Sequence, residues 1–287
     1  MPAPSTTLKA RYNIAPIYPV DPTGPIWLFE HEASTTGGYT WGDGYEIGSG
    51  WAGRTLAGPS GWMYSITPTG ELRLLHYNGT NWDTVNGAGY AVLGQGWSYT
   101  AAAQRPRISV DEDGVIWTLD VAGNLKASFY DVQTNQWLVQ NALIDTGLTQ
   151  YNAIIACSRG VVFARTPAGA LWRYYIDFWT SPNLPSWKKP TAAVVATGWT
   201  GLKNFSSAGG ETIYAVKSNG DLVWYSYNPV TKKLSAAKVI GNGWGGDVDV
   251  VAQSNACSRF DFGTAHLSTH HPDKVAVAAR LNAVKKN

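Results

Sequence analysis

IYAVKSNGDLVWYSYNPVTKKLSAAKVIGNGW, residues 213 to 244, is the stretch whose pattern settles the architecture. An alternating run from Ile213 to Lys217 meets Asn219-Gly220, and a second alternating run follows from Leu222 to Asn228. Two such runs around an Asn-Gly pair read as a β-hairpin, the glycine supplying the φ above zero that a tight turn uses. A polar loop, a third short strand and Gly243-Trp244 close the unit.

The unit occurs five times. Its hairpin recurs as IYPVDPTGPIWLFEH from Ile17, MYSITPTGELRLLHY from Met63, IWTLDVAGNLKASFYD from Ile116 and VFARTPAGALWRYYID from Val162. The turn glycines Gly24, Gly70, Gly123, Gly169 and Gly220 are 46, 53, 46 and 51 residues apart. The closing pair keeps step as Gly50-Trp51, Gly96-Trp97, Gly147-Leu148, Gly198-Trp199 and Gly243-Trp244. A repeat of this length built from strands predicts a β-propeller whose blades are four-stranded antiparallel meanders. The fold class is all-β, a five-bladed propeller over residues 8–257, with a flexible lead at 1–7 and a tail at 258–287.

Composition agrees. Thirty-one glycines and fourteen tryptophans against two methionines suit turns and aromatic strand packing and leave few places for a long helix. The net charge of +2 is unevenly placed: from Ser258 onward five basic residues face two acidic ones, and the remainder is close to neutral. A near-neutral propeller lacks the basic footprint of a nucleic-acid binder. No run approaches a membrane span, and the opening MPAPSTTLKARYNIAP lacks the apolar core of a secretory signal. The chain is expected to be soluble, with secreted and cytosolic locations both open. Asn78-Gly-Thr80 and Asn204-Phe-Ser206 are sequons without a secretory context.

Cys157 and Cys257 sit in matching Ala-Cys-Ser-Arg tetrapeptides two repeats apart. On a five-fold ring those places are roughly 144° apart, too far for a bridge whose Cα atoms must come within about 7 Å. Both are expected to be buried thiols. Between each closing pair and the next hairpin lies the blade's innermost strand, small or apolar, as in Ala153 to Cys157. Such segments number six for five blades, because residues 8–16 resemble one and GGDVDVVAQSNA from Gly245 supplies another. Asp247 to Ala252 is expected to become the inner strand of the first blade, closing the ring so that no sheet edge stays open. The last dozen residues place Val277, Leu281 and Val284 at helical spacing, so the tail reads as a linker or a short docked helix.

The pattern of Ile/Val-Gly-X-Gly-Trp, an inner strand and a Leu/Ile-Tyr-Ala-Val hairpin resembles the tachylectin-type five-bladed propeller lectins over residues 12–255. The resemblance implies several near-equivalent sites for N-acetylated hexosamines between neighbouring blades, and closure by a C-terminal inner strand. The family's Asp-Asn-Trp at the start of strand four stands here as Tyr39-Thr40-Trp41, Thr80-Asn81-Trp82, Asn135-Gln136-Trp137, Pro185-Ser186-Trp187 and Lys232-Lys233-Leu234.

Meander geometry independently points between blades. Strands two and four end on one face, which predicts that each closing pair meets the two-three turn of the next blade: Trp51 with Thr67, Trp97 with Asp120, Trp199 with Lys217 and Asn219, and Trp244 with Asp21. Each crevice would offer an indole face to sugar C–H groups and a polar turn to its hydroxyls. A repeated tryptophan also serves inter-blade packing, so the crevice as a whole is the candidate.

Leu148 leaves the third crevice without an indole. Glycans are the expected partners, in several weak sites made strong by repetition. No cofactor is expected, since there is no Gly-rich phosphate loop, nucleophile elbow or zinc motif. The acidic hairpin Asp111-Glu112-Asp113-Gly114 and the tail residues His266, His270, His271 and Asp273 are weaker ion-binding candidates. A glycoside hydrolase would gather carboxylates from several blades on the axis, where only Asp247 and Asp249 are clear candidates. A protein-interaction scaffold would use the variable three-four loops and Trp179.

Overall fold

Strand two of the last repeat shows why these strands read as nearly unbroken apolar runs. Ile213 and Ala215 point to one neighbouring blade while Tyr214 and Val216 point to the other, so a period of two buries both faces. A computed structural model describes residues 14–158, 160–176, 187–188 and 194–258, without the side chains of residues 176, 187 and 188. The lead, most of the segment from residue 8, Trp179 and the tail with its histidines lie outside these residues.

The strands form five antiparallel sheets arranged as a propeller. Blade 2 runs from its inner strand Arg54–Ala57 through Trp62–Ile66 and Leu72–His76 to Ala91–Gly94. Blade 3 comprises Ile108–Val110, Ile116–Leu119, Leu125–Asp131 and Gln136–Asp145. In blade 4 (Ala153–Ala156, Val161–Arg165, Leu171–Ile176) the outer position is split between Trp187–Lys188 and Val194–Ala196. Blade 5 (Leu202–Gly209, Thr212–Lys217, Leu222–Asn228) is split likewise, into Lys233–Leu234 and Lys238–Gly241.

Blade 1 joins the two ends of the ring. Its strands Ala15–Val20, Ile26–His31 and Tyr45–Gly48 receive Asp249–Ala252 as the inner strand, with Ile17 opposite Ala252 and Val20 opposite Asp249. The expected closure is therefore the observed one.

Five apolar clusters each fill one seam between adjacent blades. Strand-four tryptophans bolt three of these seams. Trp41, Trp82 and Trp137 donate their indole N–H to the carbonyls of Ile240, Ile47 and Leu93 at 2.5, 2.5 and 3.0 Å, each on the preceding blade. Each also packs on that blade's closing tryptophan, as Trp41 on Trp244, Trp82 on Trp51 and Trp137 on Trp97. Cys157 and Cys257 are buried and no disulfide joins them.

Side chains also tie inner strand to inner strand around the axis. Ser109 Oγ accepts the Ala156 amide, Ser206 Oγ accepts that of Ala252, and Asp249 Oδ2 accepts that of Thr55.

Candidate functional site

Each closing pair bonds to the two-three turn of its own blade, a contact that the meander reading did not include. The amides of Trp51, Trp97, Leu148, Trp199 and Trp244 donate to the carbonyls of Gly24, Gly70, Gly123, Gly169 and Gly220, each the turn glycine of the same blade. All five glycines have positive φ, and a Cβ at Gly123 would stand 2.7 Å from the Leu148 nitrogen, so the turn accepts only glycine. Contact with the next blade comes two residues later, where the Ser218 amide donates to the Gly201 carbonyl. The closing segment thus threads between both turns.

Burial separates the residues named from the sequence. Trp97, Trp199 and Trp244 are 8, 2 and 9% exposed within the seam clusters, which takes their ring faces away from any sugar. Trp51 is half-buried against Trp82. Asp21, Thr67, Asp120 and Lys217 are partly exposed and Asn219 is exposed, all at the two-three turns. Their polar groups largely serve those turns: Asp21 accepts Thr23, Thr67 accepts the Glu71 amide, Asp120 accepts Asn124 and Lys126, and Asn219 bonds Asp221.

At the hub, a cavity of about 10 Å³ lies among the inner strands of blades 1, 2, 3 and 5, room for roughly one water. Asp249 is fully buried there, bound by Arg54, by Arg105 at 2.6 Å and by the Thr55 amide. Two buried carboxylates brace loops: Glu112, of the acidic hairpin, and Glu211, which sequence reasoning missed. Glu211 takes Arg173 at 2.6 and 2.8 Å, and Glu112 accepts the Gly210 amide. Asp111 is a bracket for its own turn, accepting the Asp113 and Val115 amides and the Trp117 indole. Among the described residues no group of three His, Cys, Asp or Glu is placed to hold a metal ion.

Asp247 stands half-buried at the ring closure, where burial and the nearby Asp21 carboxylate raise its pKa to about 6 against the pull of Lys203. A carboxyl whose folded pKa is raised favours the folded state increasingly as pH falls below 6 and costs stability when ionised above it. Asp247→Asn is therefore expected to raise stability at alkaline pH by about 1 kcal/mol, screening allowed for. The gain should vanish in acid, as thermal unfolding at both pH values would show.

A roomier crevice than the hub cavity lies between blades 1 and 2 on the opposite face. A cavity of about 310 Å³ is lined by Tyr18, Glu30 and Tyr45 of blade 1, by Ser60, His76 and Tyr77 of blade 2, and by Gln253 beyond the closing strand. Several walls are fixed. His76 spans from the Asp83 carboxylate at 2.6 Å to the Ser60 carbonyl at 3.0 Å and stacks on Trp62. Tyr77 packs on Trp82, and burial together with a hydrogen bond that it donates to Tyr45 pushes its phenol up to about 12.

Tyr18 differs from these. It is 2% exposed, and among the described residues no hydrogen bond reaches its hydroxyl, which lies close to Tyr77, Tyr45 and Glu30. Burial pushes its pKa well up, so it remains a neutral donor. The site escaped sequence reasoning, but a signal existed: six residues after the turn glycine, blade 1 has Glu30 where the others have His76, Phe129, Tyr175 and Ser226.

A family model described as Tachylectin matches residues 19–249, and the chain belongs to the tachylectin family of lectins. No curated protein matches. Among solved structures, a mutant of the Aleuria aurantia lectin in complex with Fucα1-6GlcNAc is 14% identical, covering 79% of this chain and 74% of its own, with a TM-score of 0.41. AofleA from Arthrobotrys oligospora is 15% identical over 81% of this chain and 73% of its own, with a TM-score of 0.40. A copper-bound fungal alcohol oxidase is 11% identical over 80% and 56%, with a TM-score of 0.37. Among the described residues no helix is long and apolar enough to cross a membrane.

Proposed function

We propose that the protein is a non-catalytic carbohydrate-binding protein that holds glycans in crevices between adjacent blades, with the pocket between blades 1 and 2 as its principal site. The observation that carries this reading is the Tyr18 hydroxyl, which opens on a cavity of about 310 Å³ and takes no hydrogen bond from the described residues. Water meets such a hydroxyl in the free crevice, and a sugar hydroxyl can take the water's place. Tyr45, 44% exposed, offers an aromatic face to the ring's C–H groups. Glu30 and Gln253 offer further hydrogen bonds. N-acetylhexosamines are the first glycans to test, on the family resemblance.

Two observations support the non-catalytic reading. The hub carboxylate Asp249 is saturated by two arginines, and Glu112 and Glu211 do not line the axial cavity. A scaffold would present a contiguous apolar patch. The most exposed apolar residues, Tyr39, Val121 and Val230, belong to three different blades. The closing turns, with Trp51, Thr67, Asp120, Lys217, Asn219 and Asp21, form a second candidate rim because their polar side chains stay partly exposed.

A glycan array probed with the wild type, Tyr18→Phe and Tyr45→Ala tests the proposal. Tyr18→Phe is expected to weaken binding about tenfold while leaving the melting temperature unchanged or higher, since it deletes a hydroxyl that nothing else in the fold satisfies. Equal binding by all three proteins would remove the site from this pocket, and silence across the array would remove the function.

A further inference from the structure

The charge around the blade 1 pocket has a direction that a neutral glycan does not explain. From Ile14 to Gly53 the chain carries Asp21, Glu30, Glu32, Asp43 and Glu46, and no lysine or arginine. Nor does any lysine or arginine line the cavity. Glu30 itself is half-buried at the wall, and among the described residues no ion pair neutralises it. Three phenol oxygens, from Tyr18, Tyr45 and Tyr77, gather at the same place. Tyr18, 2% exposed, turns its hydroxyl onto this cavity with no hydrogen bond from the described residues, a second observation independent of the charge.

We propose that this pocket takes a hexosamine bearing a free, protonated amine, its ammonium held by the Glu30 carboxylate and the surrounding phenol oxygens. An ammonium has three donors and no acceptor, and carboxylate and phenol oxygens are its natural complement. Desolvation in a half-buried crevice strengthens the Glu30 contact beyond that of a surface ion pair. Tyrosine rings beside the ammonium add a cation–π attraction. Acetylation removes the charge, and a sulfated or carboxylated sugar would meet repulsion from Glu30. The inference rests on the glycan-binding reading and adds the charge of the ligand.

The test is calorimetry at slightly acidic pH, where the sugar amine is protonated. The probes are the β-1,4 tetramer of glucosamine, the same tetramer fully N-acetylated, and tetralysine. The free-amine sugar is expected to bind about tenfold more tightly than its acetylated form. Glu30→Gln should abolish that preference without moving the melting temperature.

Equal or tighter binding of the acetylated tetramer would overturn the inference and leave the lectin reading standing. Binding of neither sugar would overturn the inference, while the lectin reading stands or falls on the glycan array. Tetralysine binding as tightly as the amino sugar, with the same dependence on Glu30, would show a general ammonium site and overturn the assignment to a hexosamine. A preference that survives Glu30→Gln would overturn the role of the carboxylate.

Discussion

Asp249→Ala is expected to destabilise the protein by about 3–5 kcal/mol, the cost of breaking a buried ion pair from one side. Asp249 is fully buried and Arg54 is 3% exposed, so loss of the carboxylate strands a guanidinium that water cannot reach. The same residue starts the closing strand, where it sits opposite Val20, and its carboxylate reaches the inner strand of blade 2 and Arg105 at the entry to blade 3. Three blades lose a common anchor at once. Replacing both partners, as Asp249→Leu with Arg54→Met, should recover much of the loss, because an apolar pair demands no desolvation of charge. Urea unfolding measures all three variants. A loss under about 1 kcal/mol in Asp249→Ala would mean that closure depends on backbone pairing alone.

Trp82→Ala should cost a comparable amount, about 3–5 kcal/mol. The indole spans the seam between blades 1 and 2: it donates to the Ile47 carbonyl, packs on Trp51 at 5.3 Å and supports Tyr77 at 5.2 Å. Trp82→Phe keeps most of the apolar contact and loses the hydrogen bond, so about 1–2 kcal/mol is expected there. Because Tyr77 forms one wall of the glycan pocket, both variants should also weaken sugar binding in the order of their instability. Thermal unfolding and glycan titration on the same preparations decide it. Unimpaired binding in Trp82→Ala would separate the seam from the site.

The architecture was legible because its constraints are local and recur. A glycine forced to positive φ at each two-three turn and another at each closing pair leave two marks per blade, and alternation between them writes the strands. Closure was legible as a surplus inner segment. The bonding of the closing pair was not: the meander reading set it beside the next blade's turn, and only the fold shows that its amide bonds to its own blade's glycine.

Nor does sequence distinguish a tryptophan that caps a seam from one that faces solvent, which is why Trp97, Trp199 and Trp244 read as sugar platforms and are found buried. The blade 1 pocket draws on Glu30, Tyr45, Ser60, His76 and Gln253, residues brought together only when the last strand returns to the first blade. Arg54 and Arg105 likewise occur once each, and a feature without a repeat leaves no period to detect.

A crystal structure of the protein with the tightest-binding sugar from the array would test the pocket most directly. The expected result is a pyranose ring between blades 1 and 2, lying against Tyr45 with an oxygen or nitrogen within hydrogen-bond distance of the Tyr18 hydroxyl. A sugar held only at the closing turns beside Trp51 and Thr67, with the Tyr18 pocket empty, would contradict it.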